Sequence, residues 1–142
     1  MKFGRINLSK TNYKLSSNAV LLANPPVDKL QKIYSNYCEY KKFESVMPMF
    51  TSQFLDINSD VFGYFDDHHE LVAFSVVKKY DSTNAESVQF AWDYRNPKLR
   101  LGIVSLEHEC AYYKEQGFEY LYLGVANEYK QQLNGFEFLG PA

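Results

Sequence analysis

Arg95, Lys98 and Arg100 place three cations directly ahead of Leu101-Gly102-Ile103, where a helical pattern begins. A helix start offers unpaired N–H groups and the positive end of its dipole. With mobile basic side chains beside it, this start suits a pyrophosphate or another phosphate-bearing ligand. The same three cations also suit a solvated loop before an ordinary helix. Other clusters point away from chemistry. His68-His69 with Asp66, Asp67 and Glu70 has a metal-like composition, but neighbours on a hairpin turn point in different directions, so no metal site is expected. No Ser-His-Asp arrangement, Walker loop, Cys-x-x-Cys or His-Glu-x-x-His occurs. Cys38 and Cys110 each fall inside a helical pattern, where a buried, reduced thiol is expected.

The elements that would position the basic loop can be read from periodicity. Ala19 to Ala23 is a short strand candidate, broken by Pro25-Pro26. A helix follows, with Asp28 as its N-cap and Leu30, Ile33, Tyr34, Tyr37 and Cys38 as its apolar stripe. A second helical stretch runs from Ser45 to Leu55, with Pro48 in its first turn. Val61 to Phe65 and Leu71 to Tyr80 form a hairpin around the polar turn 66–70. Ser87 to Tyr94 adds a third strand after the polar loop Asp81 to Ala85. The helix opened by Leu101-Gly102 carries the stripe Ile103, Leu106, Cys110 and Tyr113 and closes at Gly117. Tyr120 to Gly124 is a fourth strand, Asn127 to Leu133 one or two helical turns, and Gly135 to Leu139 a last strand. This order predicts an α+β fold, a mixed sheet with helices packed on its faces.

The chain has 142 residues, 46% hydrophobic and 23% charged, which is the size and composition of one ordinary folded domain spanning 1–142. No apolar run approaches the roughly 20 residues a membrane span needs. Met1-Lys2-Phe3-Gly4-Arg5 has no apolar stretch behind its basic start. A cytoplasmic protein without a membrane partner is expected. The net charge of −2 argues against a nucleic-acid coat, so phosphate recognition would have to be local. Twelve tyrosines, eleven phenylalanines and one tryptophan exceed what a core of this size requires. They suit either a ring-lined groove or a homodimer interface.

Phe90-Ala91-Trp92-Asp93-Tyr94-Arg95-Asn96-Pro97, Leu101-Gly102, and Gly117-Phe118-Glu119-Tyr120-Leu121-Tyr122-Leu123-Gly124 resemble the catalytic half of arginyl- and leucyl-tRNA–protein transferases, within the GNAT superfamily of N-acyltransferases. Those enzymes carry an aromatic-Asp-Pro turn, a Leu-Gly at the helix start, and a Gly-x-x-Tyr-x-Tyr-Leu-Gly strand. The similarity covers about residues 30–139 and implies a mostly antiparallel, twisted GNAT sheet with helices on both faces. The usual GNAT phosphate loop is altered: with Gly102 in its last position, Pro97 falls at the first and Arg100 replaces the middle glycine. A side chain then stands where backbone would approach a pyrophosphate.

The resemblance also assigns roles. A bulge in the strand before the phosphate loop would splay it from the strand 120–124, with the acyl group in the gap. Asp93, at the strand end, is the preferred base and Glu86 the second. Tyr129 would be the acid, and Asn127 a donor contact beside Arg95, Lys98, Arg100, Leu101, Gly102 and Ile103. The implied function is direct transfer of an acyl group, expected to be acetyl, from acyl-CoA to an amine acceptor, with no tightly bound cofactor. Acyl-CoA, with acetyl-CoA as the expected co-substrate, is favoured as the commonest donor for the fold, and because the cysteine-cluster region that precedes the transferases' catalytic half is not in this sequence. Aminoacyl-tRNA is the alternative donor, which would make tRNA a partner. A non-catalytic binding module and a nucleic-acid-modifying transferase remain open.

Overall fold

The computed structural model describes residues 3–41, 54–92, 101–125 and 128–140. Its sheet is built from β1 (Phe3–Asn7), β2 (Ala19–Leu21), β3 (Ser59–Phe65), β4 (Leu71–Lys79), β5 (Asn84–Trp92), β6 (Tyr120–Val125) and β7 (Phe136–Gly140). Helices α1 (Val27–Lys41), α2 (Leu101–Glu115) and the short α3 (Glu128–Gln131) accompany it. The strand order is β2-β3-β4-β5-β6-β1-β7. Every neighbouring pair is antiparallel except β5 and β6, which run parallel.

Strand β4 lies inside the sheet, between β3 and β5, and its apolar run is buried on both sides, as a strand covered on each face requires. Ala73 and Val77 face α2, together with Phe62, Tyr64, Cys110 and Tyr113. Phe74 and Val76 face α1, together with Leu30, Ile33 and Ala91. The helices therefore lie on opposite faces. The hairpin turns have local causes. Asp66 Oδ1 accepts the N–H groups of His68 and Glu70, and Asp81 Oδ1 accepts those of Thr83 and Asn84. Both cysteines are free thiols in the core.

Several sequence expectations need correction. Strand β1 was not anticipated, and it lies between β6 and β7, with Ile6 fully buried. Asp28 lies inside the first turn of α1 and acts on the helix dipole, not as the cap. Strand β5 begins at Asn84, so Asn84 and Ala85 belong to the sheet and not to the preceding loop. Of the stretch Ser45 to Leu55, only Phe54 and Leu55 are described, and both are helical.

Two glycines give a paired prediction. Gly135 has φ +78°, and a Cβ there would stand 2.5 Å from the backbone oxygen of Asn7, whose own N–H donates to the Gly135 carbonyl. Gly117 has φ +89° but open space around it. Gly135→Ala should cost about 2 kcal/mol or more, backbone strain plus collision. Gly117→Ala should cost about 1 kcal/mol, strain alone. Denaturant unfolding of the two variants measures the difference.

Candidate active site

Strands β5 and β6 pair only at Asn84↔Tyr120, Ala85↔Leu121 and Glu86↔Tyr122. Beyond that point both continue without pairing to each other. The cause is on the other edge of β5. Val76 pairs with Gln89 and Val77 with Ser87, so Val88 is an extra residue, a β-bulge that bends β5 away from β6. The gap leaves main-chain groups to be satisfied by side chains: Lys130 Nζ donates to the Leu123 carbonyl at 3.3 Å. This is the splayed pair that the GNAT resemblance implies.

A cavity opens on each side of the splay. The first, about 220 Å3, is walled by Ser87 to Phe90 of β5, Leu123 of β6, Gly102, Ser105 and Leu106 of α2, and Lys130 and Tyr37. It reaches the first turn of α2, whose N–H groups have no partner within the helix. Gly102 opens this end, since a Cβ there would meet only the Phe90 ring at 4.0 Å. Tyr37 meets the same ring edge-on, with centroids 6.3 Å apart. The second cavity, about 490 Å3, is walled by Tyr80, Glu86, Tyr122, Leu139 and Phe3, with Gly124 facing Glu86. Adjacent residues thus serve opposite sides: Glu86 lines one cavity and Ser87 the other, and likewise Tyr122 and Leu123.

Two carboxylates dominate the electrostatics. Glu86 accepts a hydrogen bond from the Tyr80 hydroxyl, which raises the tyrosine's pKa. Glu109 is fully buried, and neither of its oxygens makes a hydrogen bond of good geometry among the described residues. It sits seven residues after Gly102 and four after Ser105, on the face of α2 turned toward β5. Burial pushes its pKa up to about 7, against smaller opposing effects from the hydroxyls of Ser75 and Ser87 and the charge of Lys130. Burial in turn lowers the pKa of Lys130, offset by Glu109. Ser87 and Lys130 therefore link the smaller cavity to an ionisable group beneath it.

A family model for the C terminus of arginine-tRNA-protein transferases matches residues 22–135. The chain belongs to this family. Its fold is shared with solved structures at low identity. One is the C-terminal domain of a protein assigned as a lysylphosphatidylglycerol synthetase from Agrobacterium fabrum, with a TM-score of 0.67 and 12% identity, covering 88% of this chain and 46% of that one. Another is Saccharomyces cerevisiae N-myristoyltransferase with bound myristoyl-CoA, with a TM-score of 0.62 and 11% identity over 89% and 42% of the two chains. A GNAT-family acetyltransferase from Elizabethkingia anophelis with acetyl-CoA bound has a TM-score of 0.53 and 15% identity over 82% and 71%. The chain spans less than half the length of the first two. No curated protein is matched by sequence. The GNAT fold and an acyltransferase-type family follow.

Within the chain, the expected site residues distribute unevenly. Glu86 lines the larger cavity and Gly102 the smaller. Leu101 sends its side chain into the core and can offer only its N–H, while Ile103 is half-buried on the next position of α2. Tyr129 falls in α3. The side chain of Tyr129, and Asp93, Arg95, Lys98, Arg100 and Asn127 entirely, lie outside the described residues. Glu109 and Lys130 were not anticipated. The signal for Glu109 was an acidic residue beside Cys110 on the buried stripe of α2. Lys130 carried no such signal. Among the described residues no group of three His, Cys, Asp or Glu could hold a metal, and no helix is long and apolar enough to cross a membrane.

Proposed function

We propose that this domain transfers an aminoacyl group, arginyl by the family's name, from the 3′ end of a charged tRNA to an amine. The observation that carries the reading is the splay of β5 from β6 with one cavity on each side, which lets donor and acceptor meet from opposite faces. At about 220 Å3 the smaller cavity is below the size of pockets that enclose a drug-sized ligand, and suits the acyl group and its ester rather than a nucleotide. Arg100 in place of the middle glycine, together with the family match, favours the tRNA ester over a CoA thioester. The second reading, acyl-CoA, is favoured by the acetyl-CoA and myristoyl-CoA bound to proteins of this fold.

In the step, the Glu86 carboxylate takes one proton from the acceptor ammonium. The free amine attacks the acyl carbon, a C–N bond forms and the C–O ester bond breaks. The departing ribose oxygen takes the nitrogen's second proton, directly or through a side chain such as Tyr129. The products are an amide, an uncharged tRNA end and one proton released from Glu86. Backbone N–H groups at the start of α2 stabilise negative charge on the donor side.

The test is a thermal-shift titration with arginyl-tRNA, uncharged tRNA and acetyl-CoA, followed by transfer of labelled arginine to an amine. A native-state ligand at one hundred times its Kd adds about 2.7 kcal/mol of stability. The expected result is a shift with arginyl-tRNA that is lost in Gly102→Trp, a variant that fills the smaller cavity. A shift with acetyl-CoA alone would replace this donor by the second reading.

A further inference from the structure

Two pairs of rings meet where β5 leaves β6. Tyr37 of α1 meets Phe90 of β5 edge-on with centroids 6.3 Å apart, and Tyr40 meets Trp92 in the same way, also at 6.3 Å. These rings come from opposite faces of the sheet. Tyr37 packs with the α1-side cluster that holds Ala91, whereas Phe90 and Trp92 pack against the α2-side cluster. Side chains alternate along a strand, so Phe90 and Trp92 point away from α1. One edge of β5 is closed here, because Phe74 and Ala73 of β4 pair with Ala91 and Trp92. The rings of α1 therefore reach Phe90 and Trp92 round the other edge, where β5 no longer pairs with β6 beyond Glu86.

The two pairs lead outward from the smaller cavity. Tyr37 and Phe90 belong to its wall. Tyr40 is three residues further along α1 and Trp92 two further along β5, a step of about 7 Å beyond that wall. Trp92 is half-buried and Tyr40 is 49% exposed, so the outer pair forms a ring ledge open to solvent. We propose that Tyr40 and Trp92 stack the base of the terminal tRNA nucleotide while its aminoacyl ester reaches into the smaller cavity. The proposal rests on the aminoacyl-tRNA reading, which puts the acyl group in that cavity. In a 3′-aminoacyl nucleotide one ribose separates the ester from the base, and it spans about the distance from one ring pair to the next. Aromatic faces hold a base by stacking, without hydrogen-bond readout, because every base has a π-face. CoA also carries an adenine. There a pantetheine arm and a pyrophosphate separate it from the thioester, so its base cannot lie one ribose from the acyl group.

The chain has a single tryptophan, so tryptophan fluorescence reports on this place alone. The full chain is titrated with the trinucleotide CCA, with the same trinucleotide lacking its terminal base, and with CoA. CCA should quench Trp92 and bind at least about tenfold more tightly than the abasic form, which carries the same phosphates. Tyr40→Leu keeps apolar bulk without a π-face and should weaken CCA about 5- to 100-fold, whereas Tyr40→Phe should stay within about twofold. In transfer assays Tyr40→Leu should raise KM for arginyl-tRNA by the same factor and leave kcat within about twofold, since the stack is kept from ground state to transition state. A lost fold would lower both and would show in the unfolding midpoint. Equal binding of the abasic form, undiminished affinity in Tyr40→Leu, an equal loss in Tyr40→Phe, or quenching by CoA and not by CCA would overturn the inference. Stacking of CCA without any transfer from charged tRNA would refute the transferase reading alone. Transfer with an unchanged KM in Tyr40→Leu would refute the stacking alone.

Discussion

Glu86→Gln should slow transfer by about 10²- to 10⁴-fold at saturating acceptor, while the affinity for charged tRNA stays within about twofold. The glutamine keeps the shape and can still accept from Tyr80, but it cannot take a proton from an ammonium. The donor cavity lies on the other side of the splay, where Ser87 and Leu123 are the neighbouring residues, so donor binding has no reason to change. Single-turnover transfer with pre-bound charged tRNA separates the two quantities. Asp93→Asn is the necessary companion. A full rate in Glu86→Gln with a large loss in Asp93→Asn would move the base to the end of β5.

Glu109→Gln should change how stability depends on pH. A carboxyl whose pKa rises from 4.5 to about 7 on folding binds its proton more tightly in the native state than in the unfolded chain. Between those values the unfolded state has lost its proton and the native state has kept it, so stability falls as pH rises. Above about 7 both states are ionised and the loss is complete, at about 3 kcal/mol. Glutamine cannot ionise, so the variant should gain on the wild type across pH 4.5 to 7 and run parallel to it above. His108, whose pKa burial lowers, acts in the opposite direction in an overlapping window, but it is common to both proteins and cancels in the difference. Denaturant midpoints at several pH values give the result, and parallel curves from pH 4.5 upward would refute the assignment.

The parts of the fold that were legible share a local cause. The β3–β4–β5 meander shows in runs of β-branched and aromatic residues with polar turns between, and α2 shows its start at Leu101-Gly102 and its end at Gly117. The missed parts depend on partners distant in sequence. Phe3–Asn7 is short, begins Phe-Gly-Arg, and becomes a strand because β6 and β7 offer it two open edges. Asn84 and Ala85 look like loop by composition and are strand because β6 pairs with them. At the site, Glu86 was legible as a carboxylate beside a splayed edge. Glu109 was not, because its meaning lies in complete burial between Ser75, Ser87 and Lys130, which come from three other elements.

The arrangement of the sheet has a consequence for synthesis. Strands β2 to β5 can assemble by antiparallel pairing between successive strands as they leave the ribosome. Strand β1 emerges before them, yet its partners β6 and β7 come from the far end of the domain. Such long-range pairing is slow, because loop closure comes before any contact rewards it. The two sub-sheets meet through only three parallel pairs, at the apex of the splay. A nascent chain therefore carries a finished half-sheet and an unpaired first strand, and both cavities come into being together, with the last joint to close.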